Sequence, residues 1–378
     1  MEYVQEKCVE ARAAPRMPLP TPEGGGRGLG ERPAWMGGTF DGYRFSTRDY
    51  PSGQRFESWA EHNRLRELTM CDESDDGFAF DQADVPFGQM LLGFRRFASS
   101  AAAAPSSYRF VRTTTLIRQD GFDFFYLLLN CNDTVRYEID GQGREQPHSC
   151  LALLDMSKPF SATVPEGESL ILTVPRSMIP VSASVLHGRI LNCHASLLLM
   201  SQLQLAARYL PVLRAEQIAH IAQGVLNLLH AVFTPGADVA EQSPYGAEHL
   251  QHERAKQYIE ANLDSPDLKV EQICREVGLS RSALYRLFAP MDGVATYIRR
   301  RRLIKIRGHL LAHQASHRTI SELAYRYGFN SPTQFCRAYK QYFGYTPRES
   351  RSLGLGGRWT GLVDPSRDYG AWLRASGV

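Results

Sequence analysis

The sequence predicts an α+β chain: a small β-rich domain, then a helical segment, then an all-α domain made from two copies of one motif. Three observations carry this. The apolar pattern runs in short strand-like segments up to about residue 185 and turns helical from Gly188. The stretch from Glu253 to Arg351 repeats itself internally. Charge divides the chain in the same place: His252 to Arg351 holds 18 Lys and Arg against 9 Asp and Glu, although the whole chain is only +3. A basic block on an acidic remainder points to a polyanionic partner for one half, with DNA, RNA and membrane surface all open on charge alone.

Composition narrows the class. At 378 residues the chain exceeds one ordinary core, and its 43% hydrophobic content suits packed domains. No apolar run approaches a membrane span, and the N-terminus lacks the apolar segment of a signal peptide. Cys8, Cys71, Cys131, Cys150, Cys193, Cys274 and Cys336 are widely spaced and odd in number. That argues for reduced thiols in a cytoplasmic protein, against a disulfide framework or zinc site.

Residues 1–38 are rich in Pro, Gly and Arg and read as a disordered tail. A domain follows over 39–185. Residues 51–70, with Phe56, Trp59, Leu65 and Leu68, suggest one amphipathic helix. Strands are expected at Met90–Phe94, Tyr108–Ile117, Phe124–Leu129, Val135–Ile139, Leu151–Leu154 and Leu170–Val174, with a hairpin turn at Asp140-Gly141. Strands at this spacing suggest a small barrel or sandwich. Over 186–235, Leu191 to Leu205 and Ile218 to Val232 mark two apolar helices, which either cap the barrel or form a dimer surface. A Pro-containing linker at 236–249 leads to the helical domain at 250–353, and 354–378 reads as an irregular tail.

The repeat carries the functional signal. In the first copy Ile273 and Val277 share a helix face, Gly278 suits a left-handed turn, and Ser280 suits the cap of a second helix. That helix buries Leu284, Leu287 and Phe288 and turns Arg281, Ser282, Tyr285 and Arg286 outward. In the second copy Thr319 and Glu322 form a capping box, Gly328 takes the turn, Ser331 caps, and Pro332 holds the first helical position. Phe335 and Tyr339 face inward there, while Thr333, Cys336 and Arg337 face out. Between the copies, Val294 to His313 predicts a helix of roughly 28 Å, comparable with the ~34 Å repeat of the major groove. Arg299 to Arg302, Lys305 and Arg307 lie along it, and phosphate contact is expected of some of them.

The run Gly328-Phe329-Asn330-Ser331-Pro332-Thr333-Gln334-Phe335 through Tyr339-Lys340, Gly344 and Thr346-Pro347 closely resembles the DNA-binding domain of the AraC/XylS family of bacterial transcription regulators. Cys336 departs from the family pattern, where a more polar residue is common. Residues 50–180 more loosely resemble the family's cupin-like β-barrel sensor domain, through Arg118, Leu153-Leu154-Asp155 and Pro159-Phe160. The resemblance implies a DNA-binding transcription regulator, an activator on this reading. It implies no enzyme and no cofactor. The expected partners are double-stranded promoter or operator DNA, RNA polymerase, a small-molecule effector and a second copy of the chain, without a membrane. The DNA-contact candidates are Ser280, Arg281, Ser282, Tyr285, Arg286, Ser331, Thr333, Cys336, Arg337 and Lys340. Tyr126, Arg136 and Tyr137 are candidates to line an effector pocket. The alternative is a ligand-independent barrel that serves dimerisation or protein contact. An apolar cavity with a few polar groups favours the receptor, and a filled barrel favours the alternative.

Other chemistries find little support. His309, His313 and His317 are spaced for one helix face but lack carboxylate or cysteine companions nearby. His148 stands alone in the strand region, without the His-x-His of cupin metal sites, and no nucleophile-elbow pattern is present.

Overall fold

The computed structural model describes residues 42–71, 77–99, 106–131, 134–179, 186–191, 193–233, 247–311, 318–354 and 369–376. The expected disordered tail (1–38) and most of the linker lie outside the described residues.

The β-rich half consists of two antiparallel sheets around an aromatic core. One has the order β1 (Tyr43–Ser46), β3 (Ala79–Phe87), β4 (Met90–Ala98), β11 (Gly167–Pro175), β6 (Phe124–Asn130), β9 (Leu151–Asp155) and β12 (Arg189–Leu191). The other runs β2 (Glu67–Met70), β5 (Ser107–Arg112), β10 (Phe160–Pro165), β7 (Val135–Ile139) and β8 (Gln142–Gln146). Strand alternation sorts the seven-stranded sheet into two faces. Phe80, Leu91, Phe97, Tyr126 and Ile171 point between the sheets, against Trp59, Tyr108, Phe110 and Tyr137. Val85, Leu92, Leu127 and Leu172 point to the outer face. The β7–β8 hairpin turns at Asp140 (φ 52°) and Gly141 (φ 72°), the left-handed pair that a two-residue turn demands.

Two helices cover the outer face. α3 (His194–Tyr209) contributes Leu199, Met200 and Leu203, and α4 (Ala215–Phe233) contributes Val225, Leu229 and Phe233. Both therefore cap the barrel. The opposite side of α3 still exposes Leu198, Leu205 and Tyr209, with Val212 just beyond at 78% exposure.

Several expectations need correcting. Residues 51–70 are not one helix: α1 (Arg55–His62) stops at Asn63, and β2 pairs with β5, so Leu68 sits opposite Phe110. The strand expected to run to Ile117 ends at Arg112. The Thr113 hydroxyl accepts from Leu116 N at 3.3 Å and starts α2 (Thr114–Asp120), so a threonine that reads as a β-branched strand residue acts as a cap. Leu191 closes β12, and α3 begins three residues later. β3 lacks a strand signature in the sequence because two of its inward positions are polar: Gln82 donates to Asp84 at 2.8 Å, and Arg95 pairs with Asp84 at 2.9 Å. The 354–378 stretch is not irregular throughout, because α12 (Tyr369–Ser376) packs Tyr369, Trp372 and Leu373 into the barrel core.

The C-terminal half comprises α5 (Ala247–Ala261), α6 (Val270–Val277), α7 (Arg281–Phe288), α8 (Val294–Leu311), α9 (Ile320–Arg326), α10 (Pro332–Phe343) and α11 (Pro347–Gly354) around one core. It docks on the barrel through buried charge. Asp123 accepts from Arg176 Nε and from Tyr297 Oη at 3.0 Å, with Lys256 Nζ at 3.6 Å. Arg176 also pairs with Asp155 at 2.5 Å. Burial would raise the Asp123 carboxyl, but Arg176, Lys256 and Arg301 outweigh it and hold it well below the usual range. Gly121 (φ 61°) lies under the Arg300 guanidinium, where an added Cβ would clash with Nη1. Among the described residues, no helix is long and apolar enough to cross a membrane.

Candidate nucleic-acid interface

Each copy of the repeat places one helix with a polar outer face on an apolar bed. In the first, α6 ends at Gly278 (φ 72°), whose left-handed backbone turns the chain between the helices. Ser280 Oγ accepts from Ala283 N at 3.2 Å, fixing the start of α7. Leu284 and Phe288 are buried, with Phe288 5.1 Å from the Tyr297 ring. Arg281, Ser282, Tyr285 and Arg286 are exposed. Arg281 reaches back to Glu271 at 2.5 Å, tying α7 to α6 across the surface.

The second copy uses the same logic. Thr319 Oγ1 accepts from Glu322 N at 3.1 Å while Glu322 Oε2 accepts from Thr319 N at 2.5 Å, so two orphan donors of α9 are satisfied together. Those bonds lower the Glu322 carboxyl. Gly328 (φ 70°) turns the chain, Ser331 Oγ accepts from Gln334 N at 3.4 Å, and Pro332 opens α10. Phe335, Tyr339 and Phe343 are buried, and Tyr339 Oη meets Ser350 Oγ at 2.6 Å. Thr333, Gln334, Arg337 and Lys340 are exposed. Cys336 is half-buried rather than outward: it packs on the edge of the domain core, and burial pushes its thiol up. Gln334 is a further exposed candidate that the outward-face expectation does not include. Its place beside Thr333 in the first exposed turn of α10 was the available signal.

α8 joins the two units, and most of its arginine run is structural. Arg301 pairs with Glu260 at 2.5 Å and is buried, as is Arg307, which donates to Tyr345 Oη at 2.7 Å. Arg302 donates to the carbonyls of Leu263 and Ser265 at 3.2 and 2.7 Å, and Arg300 pairs with Asp292 at 2.9 Å. Arg299 is left on the exposed face, with Lys305 half-buried. His309 meets Tyr327 Oη at 2.8 Å, and burial lowers its pKa. His313 and His317 lie outside the described residues, and no metal-binding cluster exists among those described.

Of the three pocket candidates, Tyr126 and Tyr137 point into the barrel and Arg136 does not. Arg136 alternates to the outer face of β7, exposed, and pairs with Glu145 at 3.2 Å. Tyr137 Oη donates to Gln146 at 2.5 Å. The cavity beside Tyr137, bordered by Arg66, Arg95, Phe110 and Asn130, measures about 20 Å³, room for one water molecule. That cavity is too small for an organic effector.

A helix-turn-helix domain family model matches residues 273–352. The multiple antibiotic resistance protein MarA of Escherichia coli is 35% identical over 102 residues, which are 26% of this chain and 77% of that protein. The right origin-binding protein of Escherichia coli is 35% identical over 92 residues, 24% of this chain and 30% of that protein. The fold resembles the crystal structure of the AraC-like transcriptional activator CuxR, with a TM-score of 0.50, 27% identity, and 69% of this chain and 94% of that one covered. With two capped, outward-facing helices in the matched segment, the chain belongs to the AraC/XylS family and is a DNA-binding transcription regulator, not an enzyme.

Proposed function

We propose that the chain reads promoter DNA with α7 and α10 in successive major-groove segments and activates transcription as a homodimer through contact with RNA polymerase, in the cytoplasm. The observation that carries this reading is the pair of like-built helices, each capped by serine and each turning polar side chains outward. Arg286 and Arg337 suit the O6 and N7 acceptors of guanine, and Gln334 suits adenine. Arg281, Ser282, Tyr285, Thr333 and Lys340 flank them. The capping hydroxyls of Ser280 and Ser331 are engaged with backbone, so phosphate positioning suits them better than base reading. We assign 39–185 to a sensor domain, 186–235 to dimerisation and 250–353 to DNA.

Operator affinity of the full chain is expected to fall steeply with salt, because Lys and Arg displace condensed counterions. Arg299→Ala, at an exposed position, should flatten the log–log salt slope by about 0.9 and weaken all sequences alike. Titration by anisotropy between low and physiological salt checks this, and an unchanged slope would remove Arg299 from the interface.

The apolar side of α3 supports the homodimer. Leu198 (61% exposed) and Val212 are the residues to charge. Leu198→Glu with Val212→Glu should convert a micromolar dimer into a monomer in sedimentation velocity while leaving the melting temperature of the barrel nearly unchanged.

The barrel is the regulatory half on this reading, with a small molecule as its signal. The small size of the cavity beside Tyr137 supports the second reading, a barrel that works by contact with protein.

A further inference from the structure

Part of what fills the barrel does not belong to it. Tyr369, Trp372 and Leu373 of α12 lie in the barrel core, yet α12 follows the DNA-binding domain in the chain. The Tyr369 ring sits 4.9 Å from Tyr43 and Trp372 sits 5.6 Å from it. Tyr369 Oη accepts from Arg95 Nη2 at 2.9 Å and donates to Asp84 Oδ1 at 3.2 Å. Arg95 and Asp84 are themselves paired and almost wholly buried, so the strands alone would leave a desolvated ion pair facing an aromatic chamber. Tyr126 Oη on β6 lies within hydrogen-bonding reach of the Tyr369 hydroxyl, and Thr173 Oγ1, its cross-strand neighbour on β11, is buried without a hydrogen-bond partner among the described residues. A core completed only for packing needs neither a hydroxyl over a buried ion pair nor an unpartnered hydroxyl in the same wall.

We propose that α12 is a tethered occupant of a binding site inside the barrel, and that the site accepts a small neutral hydroxy-aromatic molecule in exchange for Tyr369. The chemistry of the site selects that class. Arg95 and Asp84 balance one another, so a hydroxyl that both accepts and donates fits between them, and a carboxylate would face Asp84. The aromatic walls take a planar ring. Displacement is feasible because α12 has only eight residues and three deeply buried apolar side chains, set against the entropy of ordering the whole segment. Release has a route to DNA: α12 also packs against α10, and Arg374 lies 5.5 Å over the Phe122 ring on the docking side of the barrel. The exchange rests on the reading of the barrel as the regulatory half.

The test uses the full chain with p-cresol, the tyrosine side chain as a free molecule, and follows hydrogen exchange of residues 369–376 beside calorimetric binding. In the wild type, p-cresol should speed exchange of that segment about tenfold. Tyr369→Ala should bind p-cresol about tenfold tighter than wild type, because the internal competitor is gone. Toluene and 4-methylbenzoate should bind neither protein. If Tyr369→Ala does not fold, Tyr369→Phe, which keeps the ring and loses the hydroxyl, should show faster exchange of 369–376 without ligand. The proposal is overturned if p-cresol binds without altering exchange of α12, if it binds neither protein, or if toluene or the benzoate binds equally well. Operator affinity in the same samples separates the two readings. If p-cresol moves α12 while operator affinity stays constant, the site stands and the regulatory reading of the barrel falls.

Discussion

Asp123→Asn is expected to destabilise the folded chain by about 3–5 kcal/mol and to undock its two halves. Asp123 is 6% exposed and faces Arg176, Lys256 and the Tyr297 hydroxyl. Asparagine is nearly isosteric but neutral. Asp155 would then be left to balance both Arg176 and Lys256, which lie 6% and 2% exposed. Removing one member of a buried network costs far more than the intact network contributes, because the remaining charge is neither solvated nor paired. Chemical denaturation should show a lower midpoint, and Tyr297→Phe should show a smaller loss of about 1.5–3 kcal/mol, since only a hydrogen bond to the carboxylate disappears.

The same network sets the acid limit of stability. The Asp123 and Asp155 carboxyls are held well below the usual range, because burial, the largest single influence, is outweighed by the combined pull of Arg176, Lys256 and their other basic neighbours. A depressed carboxyl contributes stability that is present above its unfolded value of roughly 3.9 and is lost as pH falls toward the folded value. His187 adds an earlier window. Burial pushes it down to about 4, and its Nδ1 accepts from Asp155 N at 3.0 Å, so it must stay neutral to fold. The unfolded chain takes up that proton first, and stability declines as pH falls from roughly 6.5 toward 4. Thermal melts from pH 8 down to about 2 should show both losses, and Asp123→Asn should blunt the lower one.

Phe335→Ala is the second large effect, about 3–5 kcal/mol. Phe335 is fully buried, 5.1 Å from the Phe329 ring and 5.5 Å from Tyr339, and forms the bed on which α10 lies. Truncation leaves a cavity under one recognition helix and none under the other. The expected result is a lowered melting temperature together with footprint protection lost over one half of the operator. Uniform loss across both halves would mean that the two units do not dock independently.

The features that the sequence made legible are local. Gly278, Ser280, Thr319, Glu322, Gly328 and Ser331 each act within four residues of themselves, so spacing alone reveals the two units. What spacing could not reveal depends on distant partners. Arg301 and Arg307 look like a basic surface until Glu260 and Tyr345 are placed opposite them. Arg136 and Tyr137 are equally plausible pocket residues until strand register sends one outward, because neighbours on a strand point to opposite faces. β3 hides because its interior positions bear Gln82 and Asp84, polar residues made tolerable by Arg95 and by a tyrosine 285 positions away. No periodicity in 354–378 foretells that contact.

The central claim, that α7 and α10 read separate major-groove segments, is tested most directly by a base-substitution scan of one operator against wild type, Arg286→Ala and Thr333→Ala. Arg286→Ala should cost about 1–3 kcal/mol at the specific site, spare nonspecific binding, and relax preference within one half-site. Thr333→Ala should relax preference about one helical turn away, roughly 10 base pairs. If both variants relaxed the same bases, or if neither changed sequence preference, the two-helix account of DNA recognition would be contradicted.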